Sequence, residues 1–411
     1  MRGVSKDALH AVACHPSRLA EADGASAPSG SHLRMTDMTS AFKIRRVQAF
    51  CYRYPLATPV VTSFGEMRDR PAVFVRVEDD DGQCGWGELW CNFPAVGAEH
   101  RTRLIDEMLT PMLVGRAVTH PSEVFESLSA GTAVLALQSG EPGPFAQVIA
   151  GIDIALWDLF ARRAKTPLWR MLGGASGRMR VYASGINPTG SVAVAEAAMR
   201  RGHRAFKLKI GFDPGRDRGN LRELRKLAGD GFLAADVNQG WSIGQALKLA
   251  PPLEEFNLAW LEEPLRADRP WSEWRSLQKS FALPLAGGEN IAGRESFAAV
   301  LAEGVLSVVQ PDAAKWGGIT GCIAVARDVV ASKRNYCPHF LGAGIGLLAS
   351  AHLLAGSGGG GSLEVDSNDN PLRECFCGAV ADIRDGEIML PETPGLGIEP
   401  DVAAIEKYRT M

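Results

Sequence analysis

The stretch Ala205-Phe206-Lys207-Leu208-Lys209-Ile210-Gly211 is the best indication of how this chain folds. Its apolar residues alternate with two lysines, and alternate residues of a β-strand point to the same face. Lys207 and Lys209 therefore share one face of a predicted strand. Because lysines are seldom buried without a partner, an isolated pattern of this kind usually marks a solvated edge strand. The polar residues that follow at regular intervals favour a different interpretation here.

Polar residues end successive apolar runs further along the chain, at intervals of about one strand and one helix. In chain order they are Asp236 with Asn238, Glu262, Glu289, Asp312, His339 and Glu364. From Met179 onwards, eight strand-like runs alternate with helical patterns, which predicts an α/β fold with a (β/α)8-type barrel. Catalytic groups of such barrels lie at the carboxyl ends of the strands, where these residues would be.

The segment before the barrel has another order, in which strands are followed by helices. Residues 72–78 and 84–89 predict two strands of a three-stranded antiparallel sheet, with loops over 59–67 and 90–96, and residues 146–164 predict a helix. We therefore expect an α+β capping domain over residues 41–165, with residues 376–411 packing back on it, and a catalytic barrel over 166–375. Residues 1–40 lack periodicity, and we expect them to be disordered or a non-native extension.

Composition excludes several classes of protein. The chain has 411 residues, 46% of them hydrophobic and 22% charged, which is typical of a globular protein. Its net charge of −3 gives no general attraction to nucleic acid or to an anionic membrane. No run of 18 apolar residues predicts a membrane span. Eight irregularly spaced cysteines do not form a disulfide pattern, so we expect reduced thiols in a cytoplasmic protein.

Three carboxylates on successive predicted strands, Asp236, Glu262 and Glu289, indicate a metal site. Without a cation they would repel one another, and at least one would have to take up a proton. Oxygen ligands suit Mg²⁺ and do not suit Zn²⁺. Together with Lys207 and Lys209, such a site would attract a carboxylate substrate. It would also stabilise the negative charge that appears when the α-proton leaves.

Two candidate bases would face each other across the barrel. Lys209 ends the second barrel strand and His339 follows the seventh, so a substrate between them would meet one group on each side. Asp312, one strand earlier, would orient and charge His339. An isolated histidine is more often a core residue, but a complete ring of polar strand ends favours a catalytic role.

The motifs around these residues are specific. They are Lys207-Leu208-Lys209, Asp236-Val237-Asn238, the Trp-Leu-Glu-Glu-Pro run at 260–264, Gly288-Glu289, Gln310-Pro311-Asp312, Lys315-Trp316-Gly317-Gly318, Pro338-His339 and Leu363-Glu364. From about Phe42 to the C-terminus, the sequence resembles the mandelate racemase/muconate lactonizing enzyme family of the enolase superfamily. The His–Asp pair resembles that of the mandelate racemase-like subgroup. Lys315 stands where other subgroups carry a second lysine.

The resemblance implies a role for each site residue. Asp236, Glu262 and Glu289 would bind one Mg²⁺ per active site, with Mn²⁺ as a substitute, and Lys209 and His339 would be the acid/base groups. Asp312 would be the partner of His339, Lys207 would contact the substrate carboxylate, and Glu364 would donate to that carboxylate or its enolate. The capping loops would select the substrate, so Phe64 and Trp90, together with Asn238, are predicted to contact it.

The implied reaction is Mg-dependent removal of the proton α to a carboxylate, giving a metal-stabilised enediolate. Residues 337–342 and 366–371 look most like those of sugar-acid enzymes, which favours an acid-sugar dehydratase. Racemisation or epimerisation of an α-hydroxy acid and cycloisomerisation of a sugar lactone remain alternatives. Phe64, Trp90, Phe93 and Trp316 could form an apolar pocket that would suit a racemase of a less polar acid.

Two interpretations come from other classes. A Schiff-base aldolase that uses a barrel lysine would leave the three carboxylates unexplained. A non-catalytic binding protein on the same fold would tolerate the loss of catalytic residues, all of which are present. We expect a small-molecule carboxylate as the ligand, a homo-oligomer, and neither nucleic acid nor a membrane as a partner.

Overall fold

An antiparallel sheet of four strands begins the structured part of the chain. The structure, a computed structural model, describes residues 41–62 and 65–411, so the predicted extension over 1–40 and the predicted substrate contact Phe64 lie outside the described residues. The strands are β1 Phe42–Thr62, β2 Gly65–Asp79, β3 Cys84–Leu89 and β4 Ala117–Val118, in the order β3-β2-β1-β4. The predicted three strands are thus joined by a short fourth, which pairs with the start of β1.

The predicted loop over residues 59–67 is wrong in its described part, because residues 59–62 belong to β1 and residues 65–67 belong to β2. Val60 pairs with Met67, and the register is irregular between Pro55 and Val60. Prolines lack a backbone N–H and are typical of loops, edge strands and bulges. The two prolines of β1 lie at the edges of that irregularity, and pairing resumes beyond it.

Helices follow this sheet in the capping domain. They are α1 Gly97–Arg103, α2 Thr110–Leu113, α3 Pro121–Ser139 and α4 Pro142–Arg163, with a π-helical turn over Leu104–Leu109 between the first two. The helix predicted over residues 146–164 is α4. By length and composition α4 is the one helix among the described residues that could cross a membrane, but 89% of its apolar window is buried inside the protein.

Close contact between β3 and α4 depends on glycines. A Cβ atom on Gly87 would lie 2.0 Å from the carbonyl oxygen of Gly151, and one on Gly85 would lie 2.1 Å from that of Ala155. These separations are well inside van der Waals contact. The helix can therefore lie against the sheet only because these two strand positions lack side chains.

Eight parallel strands form the barrel. They are β5 Arg178–Ile186, β6 Phe206–Lys209, β7 Leu233–Asp236, β8 Leu261–Glu262, β9 Leu285–Gly287, β10 Val308–Val309, β11 Asn335–Tyr336 and β12 Ser362–Asp366. Each strand pairs in parallel with its neighbour, and β12 pairs with β5. Among the described residues β11 and β12 share no ladder, so the barrel is nearly closed. This confirms the predicted fold class.

Helices surround the barrel and alternate with its strands. They are α5 Leu168–Met171, α6 Ser191–Arg200, α7 Pro214–Ala228, α8 Ile243–Leu249, α9 Trp271–Gln278, α10 Arg294–Glu303, α11 Gly318–Ala331, α12 Gly344–Ser357 and α13 Pro371–Glu374, with 3-10 turns at Pro251–Phe256, Gly378–Ala381 and Val402–Tyr408. Local sequence sets several of their starts. Asp213 caps α7 by accepting from Arg216 N at 2.7 Å, and Ser242 with Gln245 forms a capping box on α8.

The C-terminal tail contacts both parts of the fold. Strand β13, Glu387–Met389, pairs antiparallel with the barrel strand β5. The last residues return to the capping sheet, where Cys51 N donates to Met411 O and the Tyr54 and Tyr408 rings meet edge to face at 5.2 Å. The tail therefore joins the barrel to the capping domain as well as packing on the latter.

The glycine contact between β3 and α4 gives a first prediction. We expect Gly87→Ala to lower the free energy of unfolding by about 1–3 kcal/mol, because its methyl group meets backbone atoms that cannot move aside. Urea denaturation measures this change. Gly143→Ala, in α4 itself and with no atom within 4 Å of its added Cβ, is the control and should be neutral or slightly stabilising. Equal effects of the two variants would contradict the packing argument.

Candidate active site

A cavity of about 260 Å³ lies between the capping domain and the carboxyl ends of the barrel strands. The capping domain contributes Val60, Met67, Arg70, Trp90, Asn92 and Phe93 to its lining, and the barrel contributes Gly185, Lys209, Asn238, Gln239, Glu289, Asn290, Lys315, His339, Leu341 and Asn368. The cavity thus combines several amides and charged groups with a larger apolar part.

The two lysines of β6 share a face but have different surroundings. Lys207 is buried beneath the cavity, where its Nζ contacts Glu262 Oε1 and lies 2.7 Å from Glu364 Oε1. Lys209 is two residues closer to the carboxyl end of the strand. It lines the cavity and contacts Asp236 Oδ2 at 3.0 Å. The predicted alternation of this strand is confirmed, because Phe206 and Leu208 point into the core between barrel and helices.

Both carboxylate oxygens of Glu262, at the end of β8, have hydrogen-bond partners. Its Oε2 accepts from Trp260 Nε1 at 3.0 Å and from Gln310 Nε2 at 2.7 Å, and its Oε1 contacts Lys207. The carbonyl oxygen of the Gln310 side chain is buried and has no hydrogen-bond partner among the described residues. The side chain that contacts Glu262 therefore carries one unused oxygen.

His339 is bound by two carboxylates. Its Nδ1 lies 2.7 Å from Asp312 Oδ2, and its Nε2 lies 2.8 Å from Glu289 Oε2. The other oxygen of Asp312 accepts from the backbone N–H groups of Ala314 and Lys315, at 2.8 and 3.1 Å. These two bonds fix the carboxylate, and the carboxylate in turn fixes the orientation of the imidazole ring, as predicted for this pair.

Lys315 completes the cavity wall. Its Nζ lies 2.9 Å from Glu289 Oε1 and 4.9 Å from the centre of the Trp90 ring. Trp90 is anchored in turn by its backbone N–H, which donates to Ala314 O at 3.0 Å. The predicted loop over residues 90–96 therefore reaches the barrel, and Trp90, Asn92 and Phe93 from this loop line the cavity.

The protonation of the site follows from these pairings. Burial would lower the pKa of His339, but Glu289, Glu364 and Asp312 raise it to about 10. Burial raises the pKa of Glu262 to about 7, although Lys207 opposes this shift. Burial and the neighbouring Glu289 raise the pKa of Glu263 well above its usual range. The two carboxyls thus favour their neutral forms, whereas the imidazole of His339 favours its charged form.

The charges in and beneath the cavity do not balance. Six carboxyl groups belong to this cluster, namely Asp236, Glu262, Glu263, Glu289, Asp312 and Glu364, whereas its basic groups are Lys207, Lys209, Lys315 and His339. If all were ionised, two negative charges would remain, which is the charge that one divalent cation neutralises. The donor atoms are oxygens, which suit Mg²⁺. The residues present therefore fit the predicted ion.

The three predicted ligands lie on neighbouring strands but turn toward different partners. Asp236 ends β7, Glu262 ends β8 and Glu289 follows β9, and their partners are Lys209, Lys207, and Lys315 with His339. Among the described residues, only the acidic run at residues 79–81, in which Asp79 is buried and the other two are exposed, brings three acidic oxygens within 4.8 Å of one another. Metal binding at the barrel would therefore require the three ligands to exchange their present partners for the ion.

The structure places the predicted site residues at two levels. Lys209, Glu289, His339, Asn238 and Trp90 line the cavity. Lys207, Asp236, Glu262, Asp312 and Glu364 are buried and contact that first group or one another. The predicted contact of Lys207 with the substrate is not seen in this arrangement. Its close contacts with Glu262 and Glu364 hold it beneath the cavity.

Several lining residues were not found from the sequence. Gln239 and Asn290 follow predicted site residues directly, so their position after a strand end was a usable signal. Arg70 lies within a strand of the capping sheet, and Asn92 lies in a loop whose path depends on the fold. Only tertiary structure brings these two to the barrel.

Two family descriptions match this chain. Residues 44–173 match "Mandelate racemase / muconate lactonizing enzyme, N-terminal domain", and residues 191–404 match "Enolase C-terminal domain-like". These matches cover the capping domain and most of the barrel. The chain belongs to the mandelate racemase/muconate lactonizing enzyme family of the enolase superfamily. Enzymes of this family are lyases and isomerases whose enolase-type chemistry depends on Mg²⁺.

Individual relatives agree with this assignment. A mandelate racemase/muconate lactonizing enzyme from Bordetella bronchiseptica RB50 is 53% identical, with a TM-score of 0.85, and the match covers 90% of this chain and 100% of the other. A racemase from Streptomyces coelicolor with bound magnesium is 28% identical, with a TM-score of 0.78, over 89% and 100% of the two chains. The 3,6-anhydro-alpha-L-galactonate cycloisomerase of Streptomyces coelicolor is 33% identical over 72% of this chain and 82% of its own length.

The position of Trp90 gives a second prediction. We expect Trp90→Ala to change relative kcat/KM across a panel of acids, because it removes a cavity wall and the contact with Lys315, worth about 0.5–2 kcal/mol. Thermal unfolding should change little. Trp271→Ala, in α9 and away from the cavity, is the control and should leave selectivity unchanged. Unchanged selectivity in Trp90→Ala would show that Trp90 does not act as a selective wall of the cavity.

Proposed function

We propose that this enzyme removes the proton α to a carboxylate and then dehydrates a polyhydroxy acid. The observation that carries the proposal is the placement of Lys209 and His339 in one cavity, on separate sides of the barrel. Four strands, β7 to β10, lie between them on one side, and β12 and β5 lie between them on the other. A substrate carbon between these groups would be accessible to one of them on each face.

The acid/base groups need free partners before they can act. Each currently holds its proton, because Lys209 contacts Asp236 and His339 contacts Glu289. Neither group can accept a proton while a carboxylate stabilises its charged form. The proposal therefore assigns Asp236 and Glu289, with Glu262, to one Mg²⁺ ion, which would release both bases. Bound magnesium in the Streptomyces coelicolor racemase supports this assignment.

The ion would supply positive charge that stabilises the negative charge developing on the substrate carboxylate. The chain itself performs the proton transfers. Lys209 takes the α-proton on its face, which breaks the C–H bond and leaves the electron pair in the enediolate. His339, held by Asp312, gives a proton to the β-hydroxyl, so that water leaves and an enol forms. The enol then becomes a 2-keto acid.

Dehydration of a polyhydroxy acid is supported by the cavity lining. Five amide side chains, Asn92, Asn238, Gln239, Asn290 and Asn368, line it together with the charged groups. Amides offer both donors and acceptors, which matches the hydroxyl groups of a sugar acid. Relatives of the chain include D-galactonate dehydratase from Ralstonia nicotianae, 30% identical over 82% of this chain and 91% of its own length.

A second outcome of the same half-reaction has its own support. If His339 returned a proton to the α-carbon on the opposite face, the enzyme would be a racemase or epimerase. The presence of one acid/base group on each side of the cavity suits that reaction as well. Cycloisomerisation of a sugar lactone is supported by the 33% identical cycloisomerase.

The seven described cysteines are free, in keeping with the cytoplasmic location that we propose. We also propose that the protein is a homo-oligomer.

The general test of the proposal is a panel of sugar acids, their lactones and α-hydroxy acids assayed with Mg²⁺. Formation of a 2-keto acid identifies dehydration, and solvent deuterium uptake without net product identifies racemisation. The proposal predicts a 2-keto acid with at least one sugar acid. Uptake of deuterium by α-hydroxy acids alone would instead favour the racemase outcome, and turnover of lactones alone would favour the cycloisomerase.

The two bases give a third prediction. In D₂O, we expect Lys209→Ala to abolish α-hydrogen exchange on the face of β6, whereas His339→Asn should keep that exchange and lose the elimination of water. With a substrate that the enzyme racemises, His339→Asn should instead abolish exchange on the face of β11. Loss of a positioned general base costs about 10²–10⁴-fold in rate. Proton NMR of each substrate configuration measures the exchange. Asp312→Asn should behave as a weaker His339 variant, since the imidazole remains but loses its orienting charge. Exchange at both faces in both single variants would disprove the assignments.

Metal dependence gives a fourth prediction. Chelation followed by removal of the chelator should abolish activity, and added Mg²⁺ should restore it, with Mn²⁺ as a substitute. The measurement is the rate of 2-keto acid formation or deuterium exchange. Full turnover by the exhaustively chelated enzyme would contradict the metal assignment and leave the fold assignment intact.

A further inference from the structure

The geometry points to a second anion-binding subsite in this cavity, formed by Arg70 on the wall beside β12 and β5. We infer that the substrate is a diacid, whose far carboxylate contacts Arg70. The inference rests on the proposed function and names its substrate class more closely. Its evidence is a buried arginine whose guanidinium is only partly used by the protein.

Arg70 lies on β2 of the capping sheet and is 4% exposed, yet its side chain lines the cavity. Its Nη2 donates to Asp366 Oδ2 at 2.7 Å. Its Nη1 contacts Met67 Sδ at 3.6 Å, and its buried Nε has no hydrogen-bond partner among the described residues. A thioether is a weak acceptor. Nη1 therefore has only a weak acceptor, and a ligand oxygen in the cavity would supply a stronger one.

Charge at this wall also favours an anion. Asp366, at the end of β12, is shared by Arg70 and Arg373, whose Nη1 lies 3.6 Å from Asp366 Oδ2. Arg373 further contacts Glu374 at 3.4 Å, but the Glu374 side chain is 55% exposed, so solvent screens its charge. One buried carboxylate thus serves two buried guanidiniums. The wall has an excess of positive charge, whereas the acid/base end of the cavity has an excess of carboxylates.

The residues around Arg70 hold it in place. Asn368 donates through its backbone N–H and its Nδ2 to Asp366 Oδ1, at 3.1 and 2.6 Å, and through Nδ2 to Gly185 O at 3.0 Å. Gly185 has a φ of +68°, and a Cβ there would lie 2.3 Å from Asp366 Oδ1. The end of β12 can therefore approach β5 closely only at a glycine. A fixed Asp366 orients the guanidinium in advance, which lowers the entropic cost of binding.

A diacid matches the two charged parts of the cavity. One carboxylate would lie at the acid/base end, where Lys209 and His339 reach the adjacent carbon. The other carboxylate would accept charge-assisted bonds from Arg70, which are stronger than bonds between neutral groups. Hydroxyl groups between the two ends would face the amides of the lining. The substrate class is therefore a sugar diacid or a lactone that retains one free carboxylate.

The test compares hexaric acids with the hexonic acids of the same configuration, which differ only in a terminal carboxylate or CH₂OH. We expect the wild-type enzyme, assayed with Mg²⁺, to prefer the diacid. Arg70→Gln should lower kcat/KM for the diacid about 10- to 100-fold, as expected for loss of a charge-assisted bond, and should change that for the monoacid only slightly. Arg70→Lys keeps the charge but loses the planar fork, so its effect should be intermediate.

Arg53→Gln is the matched control. Arg53 lies on β1 opposite Pro71, and its guanidinium pairs with Asp69 and Glu99, each at 2.6 Å, outside the cavity. It should leave the diacid preference unchanged. Wild-type preference for hexonic acids, or an equal loss on both acids in Arg70→Gln, would overturn the subsite and leave the proposed function standing.

A binding measurement separates this inference from the activity. Glutarate and butyrate differ in one carboxylate, and their effects on thermal unfolding can be compared with no turnover. Glutarate should raise the Tm of the wild-type and Arg53→Gln proteins more than butyrate does, and this difference should disappear in Arg70→Gln. Equal shifts by the two acids in the wild type would contradict the subsite. Absence of turnover with every acid would instead contradict the proposed function.

Discussion

An excess of buried carboxyl groups over buried cations at the mouth of the barrel is the constraint on which this site depends. Separate strand ends supply these groups, so the barrel brings together charges that are far apart in the sequence. A buried charge is tolerated only when it is paired and hydrogen-bonded. The structure meets this requirement by distributing four basic groups among the acids and by raising the pKa of Glu262 and Glu263. A divalent ion would meet it more completely.

The capping domain is fixed to this mouth by a small number of polar contacts. Glu88 of β3 accepts from the backbone N–H groups of Ala343 and Gly346, at 2.6 and 2.8 Å, at the start of α12. Trp90 donates to Ala314 O, and Arg70 pairs with Asp366. These contacts bring capping residues to the ends of several barrel strands. Substrate selection and domain packing therefore use some of the same side chains.

Sequence alone could predict the barrel and most of its polar ring, because both depend on local periodicity. The alternation around Lys207 and Lys209 and the spacing of strand ends at Asp236, Glu262 and Glu289 are visible without a structure. The burial of Lys207 was not visible, since it depends on contacts with Glu364 from the far end of the chain. The contact of Arg70 with the cavity could not be predicted, because a single arginine just before the predicted strand at residues 72–78 looks like a solvent-exposed residue. The pairing of Val60 with Met67 could not be predicted, because prolines such as those at 55 and 59 are typical of loops.

Calorimetric titration of the metal-free protein with Mg²⁺, with no substrate present, tests most directly whether the buried carboxylates of the barrel bind the ion. The account predicts one ion per chain and at least about tenfold weaker binding in Glu262→Gln, since each lost ligand removes a charged oxygen from the ion. Asp80→Asn, at an exposed position of the acidic run at residues 79–81, is the control and should bind as the wild type does. Binding that is lost in Asp80→Asn but kept in Glu262→Gln would contradict the account.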